Sequence, residues 1–450
     1  MSNKFKLLWI VFSGLLVSPA AMAVDLVGVH DLALKSDPKL RAAEYRREAT
    51  AENKTQAWAN LLPQLGASGN WFRGNTKTTI SDLDFSDKKS KASRNYTLSL
   101  QQSLYNQANY EQLNVARGQI SQAEAIYQAA FLNFLLRVSD SYFLVLTQID
   151  VVTFAEAEEL ALKRQYEQAE QRFEVGLTAV TDVHEAKASY DNARARAIVA
   201  RNNLADAKEE LKVLTGVYFE AFDALREVLP LVEPDPFNAN RWVEIALSNN
   251  PTVLASRAAV EIADSNMRLT RTGHFPTLNL VATYNEFTNS KFIIRDDFQQ
   301  PLTQTNLGVD DKTVQLQLNI PIYSGGAVSS RTRQARFLMD ATGQDLDDVQ
   351  RATVRETQNA FRAILAGIQE VQAFEQARIS AESALEATQA GFEVGTRTIV
   401  DVLIAQQRKF QAQRDNSIAR HAYILGHLQL KSIAGLLSSE DLRVVNQLLE

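Results

Sequence analysis

The sequence predicts a mainly α-helical, exported protein that also carries strands of a transmembrane β-barrel and consists of two tandem homologous halves. Three observations lead to this fold class. The turn sequence Phe-Glu-Val-Gly occurs at residues 173–176 and again at 392–395. Proline, which interrupts helices, is absent between Pro63 and Pro230 and after Pro321. Segments that alternate between apolar and polar residues lie between the helical tracts, in two pairs.

The amino-terminal residues have the pattern of a secretory signal peptide, predicted over residues 1–23. Lys4 and Lys6 precede an apolar run over residues 7–17, and Ala-Met-Ala at 21–23 supplies the small-residue cleavage pattern. The alternative, a membrane anchor, is disfavoured because the run is shorter than the ~20 residues of a spanning helix. No later apolar stretch of ~18 residues predicts such a helix. A spanning segment would therefore have to be a β-barrel.

The composition argues against several function classes. The sequence has no cysteine, which excludes disulfides, thiolate metal sites and a cysteine nucleophile. Its net charge of −6 gives no reason to expect nucleic-acid binding, which favours a basic patch. The five histidines are scattered without the spacing of a metal site, and phosphate-binding glycine loops and nucleophile motifs are missing. We therefore expect no enzyme activity, no cofactor and no metal.

The proline-free tracts predict two long helical hairpins. Residues 106–173 and 326–392 each suit a helix of roughly 100 Å at ~1.5 Å per residue. After each Phe-Glu-Val-Gly turn, a return helix is predicted over 182–214 and 401–433. Shorter helices are predicted over 40–61 and 252–274. Asp37-Pro38 and Asn250-Pro251 have the capping residue and first-turn proline of helix starts.

Strands are predicted near 277–286 and 313–323, with first-half counterparts at 64–72 and 96–105. About ten alternating residues match a bilayer-spanning barrel strand, whereas an ordinary sheet packed on helices is the alternative. The polar segments 75–93 and 287–312 are predicted to be loops. The expected aromatic girdle near the strand ends comprises Trp71, Phe72, Tyr284 and Phe287. Four strands cannot close a barrel, so at least two copies of the chain would have to share one.

The predicted domain order follows the duplication. After the signal peptide come a first structural repeat at 24–225 and a linker at 226–240. A second repeat at 241–435 and a carboxy-terminal tail at 436–450 complete the chain. The hairpin ends are predicted near 173–182 and 392–401.

Taken together, four segments of the chain resemble the TolC family of outer-membrane efflux proteins. They are Leu-Leu-Pro-Gln-Leu at 61–65, Ile-Pro-Ile-Tyr-Ser-Gly-Gly at 320–326, and the turns at 175–183 and 394–402. The resemblance implies a homotrimer with a 12-stranded barrel in the outer membrane of a Gram-negative bacterium, above a coiled-coil periplasmic tunnel. It also implies a passive exit duct for drugs or secreted proteins. Its partners would be a periplasmic adaptor protein, an inner-membrane transporter and outer-membrane lipid.

The resemblance also assigns roles to residues at the hairpin ends. A gate latch would comprise Gln165, Thr181, Asp182, Phe392 and Arg397. Three copies of Asp401 would form an acidic ring in the lumen, the usual device for favouring cations. The adaptor would dock on Val175, Gly176, Leu177, Val394, Gly395 and Thr396. From the residues alone, the alternative is that Asp182 and Asp401 only interact favourably with the dipoles of the return helices, without a role in transport. Likewise, the alternative for Arg397 is a solvated surface residue.

Two positions depart from the family pattern. Phe392 stands where a family member has tyrosine, and Ile404 stands where a second acidic ring is expected. Both departures predict a weaker or differently held gate, unless Glu174 or Glu393 compensates. The alternative function is an exported trimeric coiled-coil stalk or adhesin without transport. The sequence does not distinguish drug efflux from protein secretion.

Overall fold

A computed structural model describes residues 23–80, 85–295 and 301–450. The predicted signal peptide lies outside the described residues except for Ala23. The chain divides into two compact units. Among the described residues, unit 1 comprises 23–40, 132–242 and 357–450, and unit 2 comprises those within 41–131 and 243–356.

The described residues form nine α-helices and four strands. The helices are α1 Leu26–Ser36, α2 Pro38–Ala59, α3 Gln107–Glu174, α4 Val180–Thr215, α5 Ala239–Asn249, α6 Pro251–Arg271, α7 Ala327–Glu393, α8 Ile399–Ile433 and α9 Ser439–Asn446. The strands are β1 Gln64–Ile80, β2 Phe85–Tyr105, β3 Thr277–Arg295 and β4 Pro301–Asn319. The helices α3 and α7, of 68 and 67 residues, are the long outgoing arms of the two hairpins.

The shorter helices begin at the prolines that the sequence indicates. Helix α2 starts at Pro38, and the backbone N–H of Lys39 donates to the Asp37 carboxylate at 3.1 Å. Helix α6 starts at Pro251, where the Asn250 side chain accepts from the N–H groups of Thr252 and Val253 at 2.8 and 3.2 Å. The side chain before each proline thus satisfies helix donors that would otherwise be unpaired.

The four strands form one antiparallel sheet in the order β1-β2-β3-β4, and they are longer than predicted. The predicted loops at 75–93 and 287–312 are wrong over most of their length, because β1 continues to Ile80, β2 begins at Phe85, and β3 and β4 run to Arg295 and from Pro301. The polar sequence of these segments led to the loop prediction, whereas strand pairing uses the backbone and needs no apolar residues. In contrast, β4 ends at Asn319, short of the predicted 323, since Pro321 has no N–H for a ladder.

The register gives the sheet one mainly apolar face, with Arg94, Glu286 and Lys312 as charged exceptions, and one mainly polar face. Opposed residues project to the same side, and Leu65 pairs with Leu100, Leu98 with Tyr284, and Ala282 with Val314. The apolar face carries Leu65, Ala67, Trp71, Leu98, Leu100, Leu280, Ala282, Val314 and Leu316. The opposite face carries Ser68, Asn70, Thr97, Ser99, Thr283, Asn285, Thr313 and Gln315. This alternation is the pattern of a barrel strand between lipid and a watery lumen.

The predicted aromatic girdle is only partly correct. Trp71, Tyr96 and Tyr284 share the apolar face, and the Trp71 indole N–H lies 3.2 Å from the Tyr96 hydroxyl oxygen. Phe72 and Phe287 lie on the polar face, because one residue along a strand reverses the side-chain direction. The aromatic residues also lie within the strands rather than near their ends, since the strands extend further than predicted.

The core of unit 1 centres on the middle of α3. Phe134, Leu135, Val138, Tyr142 and Phe143 are fully buried there. This region corrects one expectation, because α3 does contain an 18-residue window apolar enough to cross a membrane. More than half of that window is buried inside the protein, so its apolar residues are accounted for by the core.

Candidate functional site

The two hairpin turns share one backbone geometry. Gly176 and Gly395 have φ values of 75° and 78°, the left-handed conformation that ends many helices. The N–H of Leu177 donates to the Arg172 carbonyl and that of Thr396 to the Gly391 carbonyl, each at 2.8 Å. Among the described residues, no heavy atom lies within 4 Å of a Cβ built on either glycine, so only backbone strain disfavours other residues.

The turns present apolar side chains to solvent. Val175 and Leu177 are each 69% exposed, and Val394 is 75% exposed. Gly176, Gly395 and Thr396 are exposed as well, so all six predicted docking residues lie on the surface of this chain. Apolar residues clustered at an exposed end are a feature of interaction sites.

The return helices begin with different caps. In α8, the Thr398 side chain accepts from the Asp401 N–H at 3.3 Å, while the Asp401 carboxylate accepts from the Thr398 N–H at 3.0 Å and its hydroxyl at 2.9 Å. These Thr398 hydrogen bonds, aided by the charge of Arg397, lower the pKa of Asp401. In α4, the hydroxyl of Thr178 donates to the carboxylate of Asp182. Asp401 is thus part of the cap of α8, whereas α4 has no side-chain cap at Ala179 and Asp182 lies in its first turn.

Three of the predicted latch residues line one small cleft at the hairpin ends. Gln165 from α3, Asp182 from α4 and Phe392 from α7 meet there. The remaining lining residues are Gln168, Ala169, Arg172, Thr178 and Ile399. Thr181 and Arg397 are exposed and lie outside this lining.

The backbone N–H and the aliphatic part of the side chain, its stem, hold Arg397 in place, whereas its guanidinium does not. Its N–H donates to the Gly391 carbonyl at 3.2 Å, and its Cγ would lie 2.8 Å from a Cβ at residue 391. Within the described part of the chain, its guanidinium forms no ion pair or hydrogen bond with Asp182 or Thr181. Among the described residues of one chain, the predicted latch contact of Arg397 is therefore not formed.

Phe392 belongs to an apolar cluster at the ends of the hairpins. It packs against buried residues from α3, α4 and α8, which are Leu162, Ala169, Ala186, Ala193, Ile399 and Leu403. The guanidinium carbon of Arg172 lies 5.0 Å from the centre of the Phe392 ring. Sequence reasoning missed Arg172. A signal was present, because the alignment of the two Phe-Glu-Val-Gly turns places Arg172 opposite Gly391, so the repeats differ at this position.

Ile404, which replaces an expected acid, is 44% exposed on α8. It lines a second groove with Leu162 from α3 and Glu185 and Arg196 from α4. Glu174 and Glu393, the predicted compensating acids, are both exposed at the ends of α3 and α7. A further acidic side chain is therefore available near each turn.

Comparisons with known proteins agree on one family. A family model described as "Outer membrane efflux protein" matches residues 29–217 and 242–436. The chain is 36% identical to the outer membrane protein TolC of Vibrio cholerae, over 96% of this chain and 95% of the relative. It is 29% identical to the alkaline protease secretion protein AprF of Pseudomonas aeruginosa, over 96% of this chain and 88% of the relative. A crystal structure of CusC superposes with a TM-score of 0.76 at 16% identity, covering 92% of each chain.

Proposed function

The chain belongs to the outer membrane efflux protein family, and we propose that three copies of it assemble into a gated exit duct across the outer membrane. The duct serves efflux, type I secretion or both. One relative is named for the secretion of a protease, and that name supports protein cargo. A periplasmic adaptor and an inner-membrane transporter supply the cargo and the energy.

The two-faced sheet is the observation that carries this proposal. Its order leaves β1 and β4 as edges among the described strands. Unpaired backbone groups are very costly in hydrocarbon, so each edge needs a strand from another copy. Three copies give twelve strands, enough for an aqueous pore whose lumen is lined by the polar face. The apolar stretch from Leu65 to Trp71 spans about 20 Å at ~3.3 Å per residue, close to the height of a barrel's lipid band.

The gate of this duct forms at the hairpin ends. The exposed guanidinium of Arg397 reaches the carboxylate of Asp182 and the hydroxyl of Thr181 in a neighbouring copy, beside Gln165. A guanidinium suits this contact because its fork can bind a carboxylate and a hydroxyl oxygen together. Three copies of Asp401 surround the narrowed lumen and favour cations.

The adaptor docks on the exposed turns. Its apolar contacts are Val175, Leu177 and Val394, and the left-handed glycines Gly176 and Gly395 present them at the end of each hairpin. Thr396 completes the second turn, where its hydroxyl already donates to the Gly391 carbonyl at 3.0 Å. The support is the exposure of these side chains.

Single-channel conductance in a planar bilayer tests the duct and its gate. The wild type should give a small, cation-selective conductance, Arg397→Ala should raise it, and Asp401→Ala should reduce the selectivity. Arg194→Ala, at an exposed position of α4, is the matched control and should change neither. A large conductance insensitive to both variants would keep the duct and reject the gate. Folded trimers without any channel would favour the stalk or adhesin.

A further inference from the structure

We propose that Arg172 is an additional gate residue, which clasps the two hairpins of one chain together through the aromatic ring of Phe392. The inference rests on the proposed gated duct and adds to it a contact within each subunit. The guanidinium carbon of Arg172 lies 5.0 Å from the ring centre. This is within the ~6 Å at which a cation is attracted to the negative face of an aromatic ring.

Both partners are held in position by other contacts. The Arg172 carbonyl accepts the Leu177 N–H that closes the first turn, at 2.8 Å, and the Phe392 carbonyl accepts the Gly395 N–H that begins the second, at 3.1 Å. The Phe392 ring also packs into the apolar cluster with Ala169 and Ile399. The guanidinium therefore meets a ring that is already packed, so that forming the contact orders the Arg172 side chain but costs little further entropy at Phe392.

In the described part of the chain, the charge of Arg172 is not compensated by an acidic side chain. No described carboxylate lies within the 4 Å of an ion pair with its guanidinium. Asp182 lines the same cleft, but its carboxylate accepts from Thr178. Arg172 also lies in the last turn of α3, where a cation is favoured by the helix dipole. The aromatic face is thus the contact that ties this guanidinium to the other hairpin.

In the proposed gate, opening moves the two turns of one chain apart, and the contact joins these turns. Arg172 belongs to the α3–α4 hairpin and Phe392 to the α7–α8 hairpin. Movement of one turn away from the other removes the guanidinium from the ring. The clasp therefore favours the closed state by about 2- to 30-fold per subunit, the range that a cation–π contact supplies. It also gives Phe392 a role in closure that needs no hydroxyl.

A double-mutant cycle on the open probability tests the clasp. Arg172→Met keeps the length of the side chain but removes its charge, and Phe392→Leu keeps an apolar residue but removes the ring. Each should raise the open probability by about 2- to 30-fold per subunit, and the double variant should resemble the single variants because both remove one contact. Arg164→Met, at an exposed position of the same helix, is the matched control and should leave gating unchanged. Additive effects, or an unchanged Arg172→Met channel, would overturn the clasp.

A distance measurement makes the test independent of conductance. Because the sequence has no cysteine, labels can be placed by Glu174→Cys and Glu393→Cys alone, at the exposed ends of α3 and α7. Doubly labelled chains diluted into unlabelled trimers should give a broader or longer distance distribution with Arg172→Met than with Arg164→Met. Identical distributions would reject the clasp even if no channel were recorded. If Arg397→Ala raised the conductance and Arg172→Met left it unchanged, the clasp would be rejected and the proposed function retained.

Discussion

The stem of Arg397 crosses Gly391 so closely that a Cβ at residue 391 would lie 2.8 Å from the Arg397 Cγ. The same Gly391 carbonyl accepts the N–H of Arg397 and the N–H and hydroxyl of Thr396. The absence of a side chain at residue 391 therefore sets the direction in which the Arg397 guanidinium leaves the turn. The residue of the first repeat that aligns with Gly391 is Arg172. Each turn thus carries one arginine, which precedes the turn glycine in the first repeat and follows it in the second.

Gly391→Ala should open the gate although residue 391 carries no functional group. Alanine in a helix is ordinarily favoured over glycine by about 1 kcal/mol, but here the Cβ displaces the Arg397 stem. We expect the variant to raise the bilayer conductance in the same direction as Arg397→Ala. Gly367→Ala is the control, because its Cβ would meet Tyr423 at an ordinary 3.8 Å. Equal conductance of the two glycine variants would contradict the positioning role.

Thr398→Ala should make cation selectivity more sensitive to acid. The Thr398 backbone and hydroxyl hydrogen bonds, followed by the charge of Arg397, lower the pKa of Asp401, so this carboxylate stays charged as the pH falls below the ordinary range. Without the hydroxyl, the pKa of Asp401 rises and protonation occurs at a higher pH. Reversal potentials in a salt gradient, measured from pH 7 to pH 3, should show selectivity lost at a higher pH in the variant. Thr388→Ala, at a partly exposed position of α7, should behave as the wild type.

Much of the helical architecture could be predicted from the sequence because its signals are local. The absence of proline and the repeated turn indicated α3 and α7 to within one residue at each end, since a helix needs only neighbouring residues to form. The resemblance similarly indicated the turn residues. What these signals could not supply was the approach of the two turns, because the contact between Arg172 and Phe392 joins residues far apart in sequence.

The strand ends were misjudged for a different reason. The polar sequence of 75–93 led to the loop prediction, whereas pairing depends on the backbone of the neighbouring strand. The girdle error at Phe72 and Phe287 has the same origin, because the face of a residue depends on register and a single step reverses it. Trp71, one residue before Phe72, lies on the opposite side of the sheet.

Arginine substitutions at adjacent residues of β2 should distinguish the lipid-facing side of the sheet. Leu98 lies on the apolar face and Ser99 on the polar face. An arginine on the lipid face near the membrane centre costs about 2–4 kcal/mol, whereas an arginine in the lumen remains hydrated. We expect Leu98→Arg to lower the thermal stability of the trimer in lipid nanodiscs clearly more than Ser99→Arg does. The reverse order of stabilities would show that the two faces are assigned wrongly.

A buried histidine on α8 predicts how the stability of the protein depends on pH. The Nδ1 atom of His421 lies 2.8 Å from the Thr147 hydroxyl oxygen, and its ring packs 5.6 Å from the ring of Phe143, centre to centre. Burial, with a smaller effect of the Arg420 charge, lowers the pKa of His421 to about 4. The Asp150 carboxylate, 4.0 Å from Nε2, accepts from Ser417, and burial raises its pKa.

Because the folded pKa of His421 lies below its unfolded value of about 6.5, the unfolded chain takes up the proton first. The neutral histidine therefore supports the fold above pH 6.5, and this contribution falls between pH 6.5 and pH 4, by up to about 3 kcal/mol. Asp150 opposes the fall at the acidic end, since its raised pKa favours the folded state there. In thermal unfolding of the detergent-solubilised protein at pH 7.5 and pH 5, His421→Gln should shift less between the two pH values than the wild type. The exposed His184→Gln should keep the wild-type shift, and equal shifts in all three proteins would show that His421 titrates normally.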